Sequence, residues 1–266
     1  MKYNHKIAII GSGNIGTAIY QGMINKDMNP TQFFLTRRRK IFLSSYEKEG
    51  AIIGSDNAEA TKKSDIIILT VLPKQLKSVL AEIKDSLDSS KVLVSVVTAY
   101  SIAEIKDFIG SKCPVVLAMP NTALAVGESM TCLASDDEDK EQLDMVSAYF
   151  DLVGEVLNIP ENLIGSATIL AACGVAYFMR YIRAASQGGI QVGFHAKEAQ
   201  FIAAQTAKGA SKLLLTTGNH PETEIDKVTT PMGCTIAGLN EMEHNGMSSA
   251  LIKGIVTSYN ELSKLK

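Results

Sequence analysis

The chain has 266 residues, of which 46% are hydrophobic and 20% charged. At about one domain per 150 residues this allows one large or two modest domains, with enough apolar material for a core and the wrong balance for disorder. Lysine and arginine total 26 against 28 aspartate and glutamate, a net charge of −2; with no basic stretch beyond Arg37–Lys40, nucleic acid is not expected as the main partner.

In chain order, the first residues run straight into a strand, Ile7–Ile10, too short for the apolar core of a signal peptide. Gly11-Ser12-Gly13-Asn14-Ile15-Gly16 follows, and then a helix to about Asn25. Phe33–Leu35 reads as the second strand. A helix ends near Tyr46–Gly50, and Ala51–Ile53 is a third short strand. Asp65–Val71 is a strong strand around the apolar run Ile66–Leu69. Leu76–Leu87 is amphipathic, with Leu76, Val79, Leu80, Ile83 and Leu87 on one face. Val92–Val97 and Val115–Ala118 are further strands, with a short helix marked by Ile102, Ile105 and Ile109 between them. Continuous apolar strands alternating with amphipathic helices predict a parallel, doubly wound α/β sheet covered on both faces.

Beyond Pro160 the pattern changes to helices only: Ile164–Val192, Ala196–Thr217 and Met247–Leu265, with Gly193, Gly218 and Gly246 as stops. The expected division is residues 1–160 as a dinucleotide-binding domain and 161–266 as an all-α domain. No run approaches the roughly 18 apolar residues of a membrane helix. Four cysteines, Cys113, Cys132, Cys173 and Cys234, lack the Cys-x-x-Cys spacing and read as free thiols in a reducing compartment. The chain is expected to be soluble and cytoplasmic, with no membrane partner.

Gly11-x-Gly13-x-x-Gly16 after a strand and opening a helix is a dinucleotide fingerprint. Gly11 permits the tight turn, Gly13 admits a pyrophosphate to the backbone, and Gly16 lets the helix lie close on the sheet. The helix N-terminus offers free N–H groups and the positive end of its dipole. Sites for NAD usually carry an acid at the end of the second strand. Here that strand ends in Thr36-Arg37-Arg38, a hydroxyl and two guanidinium groups suited to a 2′-phosphate. The cofactor is therefore expected to be NADP(H), with NAD(H) the weaker alternative. A solvated charge run is the competing reading of the arginines.

These features carry a resemblance to the pyrroline-5-carboxylate reductase family, from Ile7 to about Leu262. In the first half it rests on the glycine loop, Ser55-Asp56-Asn57-Ala58-Glu59-Ala60, Leu72-Pro73-Lys74-Gln75 and Met119-Pro120-Asn121-Thr122. In the second half it rests on Ala204-Gln205-Thr206, Gly209-Ala210, His220-Pro221 and Thr235-Ile236-Ala237-Gly238-Leu239. The resemblance implies a Rossmann domain followed by a helical domain that makes an interlocked homodimer, with decamers among the family's assemblies. It implies that Asn57 lies by the adenine ribose and that Val71, Leu72, Pro73, Lys74 and Gln75 line the cofactor. Met119, Pro120 and Asn121 would flank its nicotinamide end, and Thr235 would place a catalytic hydroxyl near the substrate's ring nitrogen. The family's Ser-Pro-Gly-Gly-Thr-Thr loop reads Thr230-Pro231-Met232-Gly233-Cys234-Thr235 here. Met232 replaces a glycine, which matters if the backbone there needs φ > 0.

One absence in the sequence favours an imine, as negative evidence. Hydroxyacid dehydrogenases of related design carry a lysine on the first helix of the second domain, whereas Cys173–Gly189 contains Arg180 and Arg183 but no lysine. A carbonyl needs a proton donor for its developing alkoxide; an imine nitrogen can arrive protonated and needs mainly positioning. Thr229, Thr230, Met232, Gly233, Cys234 and Thr235 precede a helical stretch, Ile236–Glu243. Its N-terminal amides and threonine hydroxyls suit a small carboxylate, and ordinary capping is the competing reading. His5, His195, His220 and His244 have no metal-ligand spacing, so no metal site is expected; His195 and His220 read as helix-end residues. Cys234 reads as a packing residue, and Asp136–Glu141 as a solvated helix start. The leading expectation is NADPH-dependent reduction of 1-pyrroline-5-carboxylate to L-proline. Behind it stand a reductase of another cyclic imine carboxylate, such as a six-membered one, and a catalytically silent nucleotide-binding paralogue.

Overall fold

The computed structural model describes residues 3–110, 112–262 and 264. Two compact units emerge: Met1–Val175 with Ser258–Lys266, and Ala176–Thr257.

The first unit is a sheet of eight strands: β1 (Ile7–Ile10), β2 (Phe33–Thr36), β3 (Ile52–Gly54), β4 (Ile66–Leu69), β5 (Val92–Ser95), β6 (Val115–Met119), β7 (Ser129–Ser135) and β8 (Gly154–Asn158). Their order is β3-β2-β1-β4-β5-β6-β7-β8. Strands β1 to β6 are parallel; β7 runs antiparallel to β6, and β8 parallel to β7. β1 is central, Ile9 lying opposite Leu35 on one side and Ile68 on the other. Helices α1 (Asn14–Ile24), α2 (Ser44–Glu49), α3 (Asn57–Lys62), α4 (Leu76–Ile83), α5 (Ile102–Ile109) and α6 (Lys140–Asp151) connect the strands.

Both faces of the sheet are dry. Ala8, Ile10, Ile67 and Leu69 point to a layer built from α3, α4 and α5, including Leu80, Ile83 and Ile105. Ile7, Ile9, Ile66 and Ile68 point to the opposite layer, where Ile19 and Met23 of α1 and Phe150 of α6 pack. Successive residues of one strand therefore serve two cores, which is why the strands read as unbroken apolar runs.

β7 and β8 lie outside the sequence expectation. β7 is Ser-Met-Thr-Cys-Leu-Ala-Ser, with few strand-forming side chains, and β8 is a half-exposed edge; their pairing supplies what local propensity lacks. The acidic stretch at 136–141 is only partly solvated. Asp139 is buried and accepts from the Val115 amide at 3.1 Å, and Lys106 of α5 bridges Asp136 at 2.8 Å and Asp139 at 2.7 Å. Burial pulls the Lys106 ammonium down, but the two carboxylates outweigh it and hold the group above its ordinary value. Burial pushes the Cys113 thiol up to about 12.

After β8 come α7 (Ile164–Ala167), a π-helical segment over Thr168–Cys173, and α8 (Gly174–Gln191). Contrary to the reading of the sequence, Glu161–Gln191 is by length and composition apolar enough to cross a membrane. Its apolar character is spread over stretches separated by small residues, with no uninterrupted apolar run of that length.

The second unit comprises most of α8, α9 (Ala196–Thr217), α10 (Pro221–Val228), α11 (Cys234–His244) and the first part of α12 (Met247–Leu262). Gly193, Gly218 and Gly246 have φ of 114°, 66° and 80°, the left-handed conformation that stops helices. His195 and His220 occupy N-cap positions of α9 and α10, and the His220 ring accepts from the Glu222 amide. α10 was not anticipated, and the expected helix end at Leu265 lies outside the described residues. Within residues 176–257 only Ser186 and Ala199 are buried, while Phe178, Met179, Val192, Phe201 and Leu215 are largely exposed.

Candidate functional site

The strand order reverses between β1 and β4, and the carboxyl ends of β1, β2 and β4 open there into a cavity of about 770 Å³. Such a switch point is where doubly wound sheets take their ligands. Gly11 has φ of 87°, and a Cβ there would collide with Val71. A Cβ on Gly13 would meet only the Gly11 carbonyl, at 3.7 Å, so the backbone is open towards the cavity. A Cβ on Gly16 would lie 2.7 Å from Thr70 Oγ1 and 3.0 Å from Ile9 Cγ2. The glycine keeps α1 against the sheet. α1 has no side-chain cap and no acid in its first turn. Its amides and dipole are thus left for an anion.

Of the residues picked out from the sequence, Gly11, Gly13, Asn14, Ile15, Thr36, Arg37, Arg38, Asn57, Val71, Leu72 and Gln75 line this cavity. Ser12 does not; it is buried, its hydroxyl donating to the Ile9 carbonyl at 3.0 Å. Pro73 and Lys74 belong to the short turn before α4 and are not among the lining residues. Met119, Pro120 and Asn121 are buried at the end of β6 and are not among the lining residues. The Asn121 side chain accepts from the Ala123 amide and donates to the Ala171 carbonyl of the π segment.

Thr36 is buried and its hydroxyl donates to Asn57 Oδ1 at 2.7 Å, so the hydroxyl is already engaged. The guanidinium groups are the open cations. Arg37 stands 4.6 Å over the Phe42 ring and donates to the Ser12 carbonyl, while Arg38 and Arg39 are exposed at the cavity. Arg39, Phe42, Ser55, Ser78 and Glu82 also line it and were not anticipated. A signal for the last two existed: Gln75, Ser78 and Glu82 form a polar stripe at helical spacing, opposite the apolar face of α4.

In the helical unit, Gly233 N donates to the Thr230 carbonyl at 2.9 Å around Pro231 and Met232. Met232 has φ of 61°. Proline second and a left-handed third residue are the pattern of a type II turn, whose third position favours glycine. The Met232 side chain is fully exposed, at 103%. Thr229 donates its hydroxyl to the Asp226 carbonyl. Gly233 caps α11 without a side-chain hydrogen bond, so the amides of Cys234, Thr235 and Ile236 are not capped by a side chain. Cys234 is exposed rather than packed.

Residues 161–265 match the family model described as pyrroline-5-carboxylate reductase dimerisation. Residues 6–99 match that described as NADP oxidoreductase, coenzyme F420-dependent. Pyrroline-5-carboxylate reductase 2 of Dictyostelium discoideum is 43% identical, the alignment covering 99% of this chain and 94% of that protein. The chain belongs to the pyrroline-5-carboxylate reductase family. A second reductase of this family from the same organism, pyrroline-5-carboxylate reductase 1, is 44% identical, but the chain spans only 50% of its length. The reductase of Methanosarcina acetivorans is 33% identical over 95% of both chains. Among solved structures, Plasmodium falciparum pyrroline carboxylate reductase with NADP bound superposes at a TM-score of 0.88, with 26% identity over 98% of both chains. As a member of this reductase family the chain is a nicotinamide-dependent oxidoreductase with a dimerisation domain, and its glycine loop lies inside the NADP-oxidoreductase match.

Proposed function

We propose that the chain reduces 1-pyrroline-5-carboxylate to L-proline with NADPH, using residues 1–160 to hold the cofactor and 161–266 for substrate and dimerisation. The observation that carries this reading is the end-to-end match, at 43% identity over 99% of the chain, to a reductase named for this substrate. The open Gly13 backbone, the uncapped α1 and the three arginines at the end of β2 fit a dinucleotide bearing a 2′-phosphate. When bound, the cofactor supplies a hydride to the imine carbon. The ring nitrogen carries the proton that completes the secondary amine, so no protein acid is required at that atom. The protein's work is placement. The amides at the start of α11 hold the substrate carboxylate, with Thr229, Thr230, Met232, Gly233 and Cys234 around it, and the Thr235 hydroxyl addresses the ring nitrogen. Met119, Pro120 and Asn121 sit by the nicotinamide.

The helical unit buries almost nothing by itself, which supports a homodimer through these helices and reads Glu161–Gln191 as an interface helix, not a membrane span. Assembly to a decamer, a cytoplasmic setting and the absence of membrane or nucleic-acid partners complete the proposal. Met232, standing where the family loop has glycine, favours a second reading in which the preferred imine carboxylate is six-membered. The test is oxidation of NADPH with five- and six-membered imine carboxylates side by side. Faster turnover of the five-membered ring supports the first reading, the reverse supports the second, and binding without turnover of either would leave a silent nucleotide-binding paralogue.

A further inference from the structure

The cofactor cavity has a feature that the glycine fingerprint does not announce. Strand β2 ends without an acid, yet the cavity contains one carboxylate among its described lining residues, Glu82, delivered from α4. Glu82 Oε2 accepts from Asn57 Nδ2 at 2.6 Å, and Asn57 Oδ1 accepts from Thr36 Oγ1 at 2.7 Å. The Thr36 hydroxyl can satisfy the Asn57 oxygen and Glu82 can take only a donor, so the amide has one orientation. Thr36 is buried, whereas Glu82 is exposed at the cavity. The relay therefore runs from Thr36 at the end of β2 through Asn57 to an open carboxylate with unused acceptor capacity.

We infer that Glu82 is a cofactor-selecting residue: it accepts a hydrogen bond from a ribose hydroxyl of the dinucleotide and sets the balance between NADH and NADPH. This rests on the reading of the cavity as the cofactor site. A carboxylate accepts from the free hydroxyl of NADH, and such charge-assisted bonds are the strong ones. The same charge opposes a 2′-phosphate, which Arg37, Arg38 and Arg39 attract. Arginines and Glu82 lining one cavity make a site that accepts both cofactors, where arginines alone would favour NADPH. The acid that a dinucleotide fold usually places at the end of the second strand is thus supplied by a neighbouring helix through Asn57.

The test is Glu82→Gln, which keeps an oxygen to accept from Asn57 Nδ2 but removes the charge. Dissociation constants of NADPH and NADH are measured by calorimetric titration without substrate, so that a different imine substrate would leave the readout intact. NADH should weaken about tenfold while NADPH is unchanged or tighter. Equal changes for both cofactors would show that Glu82 acts only by holding Asn57, and weakening of NADPH alone would show that it does not oppose the phosphate. Either result overturns the assignment. Failure of the wild-type chain to bind either cofactor would overturn it together with the cofactor site itself.

Discussion

The two units bury their apolar residues to very different extents. In the sheet unit, strands β1, β2, β4, β5 and β6 each supply side chains to two dry layers, and Ile7, Ile9, Ile67 and Phe150 are essentially inaccessible. In residues 176–257, Ser186 and Ala199 alone are buried, and Phe178 and Phe201 are 68% and 71% exposed. A sheet with helices on both faces closes its own core. Single long helices such as α8 and α9 expose most of their circumference until another surface covers it. The difference teaches that the sheet unit closes its own core within one chain, whereas the helical unit leaves its apolar faces for assembly, in keeping with its dimerisation-domain match.

The largest test of that contrast is Phe201→Glu in α9. On a surface that stays exposed the change would matter by at most about 0.5 kcal/mol. Under a partner it leaves a buried unpaired charge costing about 3–5 kcal/mol, and sedimentation velocity should show dissociation. Unchanged sedimentation would break the comparison. Next is Ile67→Ala in β4, which should lower stability to urea by about 2–5 kcal/mol while leaving the oligomer's sedimentation intact at low denaturant. Gly16→Ala should cost about 1–3 kcal/mol, because its Cβ meets Thr70 and Ile9. It should also weaken NADPH in a binding titration by lifting α1 from the sheet.

Smaller effects concern ends and turns. Lys106 is held above its ordinary value of 10.5 by Asp136 and Asp139. Its contribution is therefore fully present below pH 10.5 and is lost as pH rises through the raised folded value. Lys106→Met should remove about 1 kcal/mol at neutral pH and flatten the alkaline limb of a stability–pH curve. Met232→Gly should raise stability by about 1 kcal/mol, since a left-handed side chain is strained and glycine is not. A lower melting temperature in differential scanning calorimetry would contradict the strain at that turn.

Much of the sheet unit was legible in the sequence because its signals are local. Gly11, Gly13 and Gly16 are demanded by a turn, an open backbone and a close helix, each within a few residues. The possibility that Met232 would have to adopt φ > 0 was also readable from one replaced glycine, and the angle is 61°. Strands β7 and β8 were not legible, since their composition is weak and pairing with β6 and with each other decides them. The membrane-length character of Glu161–Gln191 emerges only when the separate apolar stretches join in one helix.

By itself the sequence determined the doubly wound sheet, the glycine loop, the arginines after β2 and the change to helices beyond Pro160, because propensity, periodicity and short motifs act over neighbouring residues. Tertiary structure alone decided that the Thr36 hydroxyl is spent on Asn57, that Glu82 of α4 reaches the same cavity, and that Asp139 is a buried acceptor and not a solvated charge. Each of these is a contact between elements far apart in the chain, and only the packed sheet brings such groups within hydrogen-bonding distance.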